Sequence, residues 1–215
     1  MKFPVQLCAA ARTATWLGVR CGVQGEPDEL QPEDLVREAP EIARRALALF
    51  AVVGLALRAP KEETIAWLKR ESLWEELTPE EFAYVSASSP TERQAVNASW
   101  RSEALLMLLW ALAMVEELPG LSEQCDAAKF QAFLPPFADV SVEQFISSAR
   151  RRDESALVQM ADALLHSHWE ARDALVHDRA LAPHLDVGII QERHHAINWV
   201  IGYDGLPWDE ITTDT

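Results

Sequence analysis

Three basic side chains stand where the pattern of this chain demands hydrocarbon. Residues 156–176 repeat apolar side chains at helical spacing, and His168 and Arg172 fall on the apolar half of that wheel, one turn apart. Residues 186–202 repeat the pattern, and Arg193 falls inside the arc of Ile189, Ile190, Ala196, Ile197, Val200 and Ile201. A charge turned into apolar surroundings is costly unless an opposite charge meets it. Two chemistries would meet it. One is internal: the guanidinium fork of Arg193 fits two carboxylate oxygens at once, with Glu103, Asp173, Glu192, Asp209 and Asp214 as candidate partners. The other is a pocket for a carboxylate or phosphate, lined by Arg101, His168, Arg172 and Arg193. The internal network is the favoured reading. Arg101, Glu103, His168, Arg172, Arg193 and Asp209 form the candidate binding set.

Other arrangements are weaker. The opposite half of the first wheel holds Ser155, Gln159, Asp162, His166, Glu170, Asp173 and His177, which has the ligand types of a metal stripe. A solvated face with His and acid paired at i, i+4 is the simpler reading, so no metal and no cofactor is expected. His194 and His195 are adjacent, about 100° apart on a helix, and do not easily chelate one ion. No GxSxG elbow, Walker loop, GxGxxG or HExxH is present. Cys8, Cys21 and Cys125 are an odd number without CxxC spacing, as expected of reduced thiols in a cytoplasmic protein. Asn97-Ala98-Ser99 matches a glycosylation sequon that such a protein would not use. The run Arg150-Arg151-Arg152 is expected to meet a helix C-terminus.

Helices have to position these groups. With 215 residues of ordinary globular composition, the chain can bury a sizeable core. Thr78-Pro79-Glu80-Glu81, Ser89-Pro90-Thr91-Glu92 and Ser141-Val142-Glu143-Gln144 carry capping signatures. Pro40 suits a first turn, followed by Ile42, Ala46, Leu49, Phe50, Val53 and Leu57 on one face. Residues 61–74 carry a further helix. Residues 97–118 are apolar all round between 104 and 115, which marks a buried helix, and Pro119-Gly120 ends it. No stretch alternates as a strand would. The expected fold class is all-α: a single helical domain around that central helix, with a C-terminal tail docked through Trp208, Ile211 and Asp214. Residues 1–39 are expected to hold a short helix near 9–17 and an acidic connector over 24–38, and residues 40–215 the helical core.

The formal net charge is −15. Such a chain does not suit nucleic acid or an anionic membrane surface, and it leaves room for a basic protein partner. The longest uncharged apolar runs, residues 46–57 and 104–115, span about 18 Å as helices and are too short for a bilayer. Residues 1–11 resemble a weak secretory signal, but Pro4, Gln6 and the shortness of the run count against one.

Four local patterns resemble a bacterial family known as domain of unknown function 4272. They are Glu41-Ile42-Ala43-Arg44-Arg45-Ala46-Leu47; Ser99-Trp100-Arg101-Ser102-Glu103-Ala104-Leu105 running into Leu108-Leu109-Trp110-Ala111-Leu112; His168-Trp169-Glu170-Ala171-Arg172-Asp173-Ala174; and Glu192-Arg193-His194-His195-Ala196-Ile197-Asn198-Trp199, with Trp208-Asp209 and Thr213-Asp214-Thr215 after it. The resemblance covers residues 40–215 and only loosely residues 1–39. It singles out Arg101, His168, Arg172 and Arg193, and it assigns no reaction. The family usually shows Gly where this chain has Ala113, and the Ala is expected to tolerate a helix better.

Two functions follow as expectations. One is a non-enzymatic, cytoplasmic protein-binding module, an immunity-like protein or regulatory adaptor, whose acidic surface suits a basic partner. The other is a small-molecule or anion-binding enzyme, with His168 as general acid–base and Arg172 and Arg193 as the clamp. An open cavity of several hundred Å³ at those side chains would favour the second. Consumption of the arginines by internal carboxylates would remove it.

Overall fold

The computed structural model describes residues 35–213. The expected helix near residues 9–17, most of the acidic connector, Cys8, Cys21 and Asp214 lie outside the described residues. Within them the chain is all-α, with seven α-helices, four short 3-10 turns and no strand.

The centre is α4 (Glu92–Ala111), lodged between α1 (Ala39–Ala56) and α7 (Val187–Ile201). Every side chain from Glu103 to Leu112 is buried, and each large apolar one contributes about 1.5–3 kcal/mol relative to exposure. The central helix is therefore where the apolar run requires it, but its ends differ from the expected 97–118. It starts earlier, because Thr91 and not Ser89 is the cap. The Thr91 hydroxyl accepts from the Gln94 amide, and the Gln94 side chain accepts from the Thr91 amide. It ends earlier, because Ala113 turns left-handed at φ 56°. The amides of Ala113 and Met114 then donate back to Trp110 and Leu109 at 2.9 and 3.0 Å, which is a Schellman closure. Ala113 is outside the helix, contrary to expectation.

The arginine run serves two helix ends. Arg150 donates to the carbonyls of Ser148 and Ala149 beyond α5 (Val142–Ser148). Arg152 donates to the carbonyls of Trp110 and Val115 at the end of α4 and lies over the Trp110 ring at 4.5 Å. The capping boxes at Thr78 and Ser141 form as expected and start α3 (Pro79–Ser86) and α5. Helix α2 (Lys61–Arg70) stops short of the expected residue 74, with Ser72 at φ 56°.

Helix α6 (Glu154–Val176) packs on α7. Its buried seam is Leu157, Ala161, Leu164, His168, Ala171 and Ala174. Helix α7 runs from the Asp186 cap to Gly202, whose φ is 77° and whose missing Cβ leaves room for the backbone of Leu35. The tail is docked, as expected. Trp208 and Ile211 are buried, Asn198 donates to the Thr212 carbonyl at 3.2 Å, and the Arg45 guanidinium lies over the Trp208 ring at 4.9 Å. Arg37 ties the start of α1 to the same region. It donates to the carbonyls of Trp199 and Leu206, each at 2.8 Å.

Candidate functional site

Arg193 projects from the middle of α7 into the core and is 1% exposed. Its Nε and Nη2 both donate to Glu103 Oε2, at 2.9 and 2.8 Å. Its Nη1 donates to the Pro119 carbonyl at 2.7 Å, and Nη2 also reaches the Glu123 carbonyl. The second Glu103 oxygen accepts from the Cys125 amide at 2.6 Å. Charge and donors are therefore met inside the protein, by a carboxylate on α4 and by the loop that follows it. The Cys125 thiol beside this pair is pushed up to about 12, by burial first and then by the Glu103 charge. That thiol is not a nucleophile at neutral pH.

A second pair runs parallel to the first. Arg101 donates to both oxygens of Glu192, the nearer at 3.1 Å. Burial raises the Glu192 carboxyl, and Arg101 pulls it back down only in part. On the other side of α7, His168 and His194 meet through their Nδ1 atoms at 3.0 Å, both rings buried. One nitrogen must donate and the other accept, so the contact does not survive protonation of both rings. Burial lowers both: His194 falls to about 4, and His168 is lowered further by Arg172. His194 is therefore not poised for proton transfer near neutral pH.

The candidate set therefore divides. Arg101, Glu103, His168 and Arg193 line the contacts of α7 with α4 and α6. Arg172 does not join them: it is exposed. Its wheel position was read from a half-circle of apolar residues, but a helix leaning on one neighbour buries only a narrow seam, and Arg172 lies a residue beyond it. Asp209 is also exposed and accepts from the Glu80 amide at 3.4 Å, away from Arg193. His194 and Asn198, which are not among the apolar residues of the α7 arc, are buried as well, because α7 is covered by α4, by α6 and by the tail. Among the described residues no cluster of His, Cys, Asp or Glu has the makings of a metal site.

Arg101 and Asp209 come together elsewhere. They line a groove of about 350 Å³ beside α3 and α4, with Glu80, Tyr84, Gln94 and Asn97. Glu81, at its edge, is taken by Arg45, whose Nη2 reaches both carboxylate oxygens at 2.6 Å.

The model of the family described as domain of unknown function (DUF4272) matches residues 13–211. The chain belongs to this family. No curated protein and no solved structure matches it. In this DUF4272 chain the segments that carried the resemblance hold the members of the buried network: Arg101 and Glu103 on α4, His168 on α6, Glu192 to His194 on α7. Two groups of the DUF4272 chain were missed from sequence, the buried Arg45 and the half-buried His195. Arg45 stands three residues after Ile42 and four before Leu49, inside the apolar face of α1, and that spacing was its signal. His195 packs its ring on Trp208, centroids 4.8 Å apart, with Nε2 buried and unpartnered among the described residues. Its signal would have required knowing where the tail lies.

Proposed function

We propose that this chain is a non-enzymatic protein-binding module, of the immunity or regulatory-adaptor kind, that takes a basic partner at the groove beside α3 and α4. One observation carries the reading. The carboxylates of Glu80 and Asp209 sit exposed on that groove, and no described cation lies within ion-pair distance of either. The same helices expose Phe82 and Val96, 47% and 48% open to solvent, as apolar anchors. A formal charge of −15 would speed encounter with a cationic surface. A cytoplasmic setting is part of this reading, and no helix among the described residues is long and apolar enough to cross a membrane.

The enzymatic alternative draws less support. Its clamp needed several free arginines around His168, yet Arg193 is held by Glu103 and Arg101 by Glu192, which leaves only the exposed Arg172 beside that ring. The deciding experiment is co-purification from the native host, with the wild-type chain and a Glu80→Lys/Asp209→Lys variant side by side. The expected result is a basic protein retained by the wild type, released by raised salt and lost from the variant. Retention that ignores both salt and the variant would reject the groove as the binding face.

A further inference from the structure

We infer that an exposed flank of α6 is where two copies of this chain meet. Helix α6 buries its seam on α7, and beside that seam Leu165, Trp169, Leu175 and Val176 are 39, 57, 54 and 75% exposed. Arg172 stands among them. Exposed apolar side chains gathered along one stretch of a helix, with a Trp among them, mark a candidate interaction surface.

The spacing names the occupant. Leu165, Trp169, Arg172 and Val176 follow one another at intervals of four, three and four residues, which places them in one line along a helix. The series reads the same in both directions. An antiparallel second copy therefore sets Leu165 against Val176 of the second copy and Trp169 against Arg172 of the second copy, each contact made twice. Elsewhere this fold repeatedly lays a cation on an indole: Arg37 over Trp199 at 4.4 Å, Lys69 over Trp74 at 4.7 Å, and Arg45 and Arg152 over Trp208 and Trp110. Among the described residues Trp169 has no such cation and Arg172 no carboxylate. The two-fold arrangement supplies a cation for each indole, with the cation–π attraction strengthened as the pair is desolvated. A basic partner does not fit this stripe, because Arg172 stands inside it. An anionic membrane does not fit either, since Asp162 and Asp173 flank it. One helix face is smaller than the ~800 Å² per partner of a stable interface, so the dimer is reversible.

Sedimentation of the full chain from low to high micromolar concentration tests this directly. The wild type is expected to shift from monomer to dimer. Trp169→Ala and Arg172→Glu should each weaken the dimer about tenfold or more, while the groove variant Glu80→Lys should leave it unchanged. These side chains are exposed, so circular dichroism should show the variants folded. A dimer indifferent to both α6 substitutions would overturn the proposal. So would a monomer at every concentration. In that case a lower melting temperature for Trp169→Ala would mean the chain covers its own stripe, and an unchanged one would mean a different protein does. Either result leaves the groove reading intact, because that rests on Glu80 and Asp209.

Discussion

Arg193 and Glu103 act as one unit. Removing either partner leaves the other charged in a dry interior, which costs more than the pair contributes. Arg193→Met is therefore expected to lower the unfolding free energy by about 3–5 kcal/mol. Glu103→Leu combined with Arg193→Met should lose less than Arg193→Met alone, because no orphaned charge remains. The double variant still strands the carbonyl of Pro119 and the amide of Cys125, so it is not expected to reach wild-type stability. Urea denaturation of the three proteins measures this, and a double variant less stable than Arg193→Met would refute the ion-pair account. That Arg193 needs an anion was legible in the sequence, since a guanidinium set inside an arc of isoleucines has no water to neutralise it. Which of five carboxylates it takes was not legible, because the choice depends on the relative rotation of α4 and α7 about their own axes. Arg172 was misread for a related reason: the width of a buried stripe is set by how many neighbours a helix has.

Helix α4 shows what local chemistry decides and what it leaves open. Its buried middle follows from a run without a polar face, and α1, α3 and α5 start where a proline or a capping box starts them. Its end is set by one residue, Ala113, held at φ 56°. An L-residue with a Cβ is strained there, whereas glycine is not. Ala113→Gly is thus expected to stabilise the protein by about 0.5–1 kcal/mol, read as a raised melting temperature. The same change inside a helix would destabilise by a similar amount, so the sign of the shift distinguishes a helix terminus from a helix interior. The sequence concealed this terminus because the apolar run continues through Met114 and Val115, which pack on the core after the helix has ended.

At the scale of the whole molecule, three histidines are gathered against α7 and kept neutral. His194 is lowered to about 4 and His195 to about 3, chiefly by burial, and His168 is lowered as well. The unfolded chain takes up these protons first, near the ordinary value of 6.5. Stability from this source is complete above that pH and drains away as acid is added, until the folded groups protonate in turn. The melting temperature should fall steeply from pH 7 toward pH 4. His195→Phe, which keeps the ring on Trp208 and removes an unpartnered nitrogen, should flatten that fall; an equal slope would mean the loss lies with other groups. The all-α class, the central helix and the docked tail were legible because each rests on patterns within one segment. The groove was not, because its walls come from three segments far apart in the chain. The placement of α7 carries one more consequence. A nascent chain can pair α1 with α4 long before residues 187–201 leave the ribosome, so one flank of the most apolar helix stays bare through that interval. Chaperone capture and premature clumping are most acute in that window, and they end when the last strut of the core slides in.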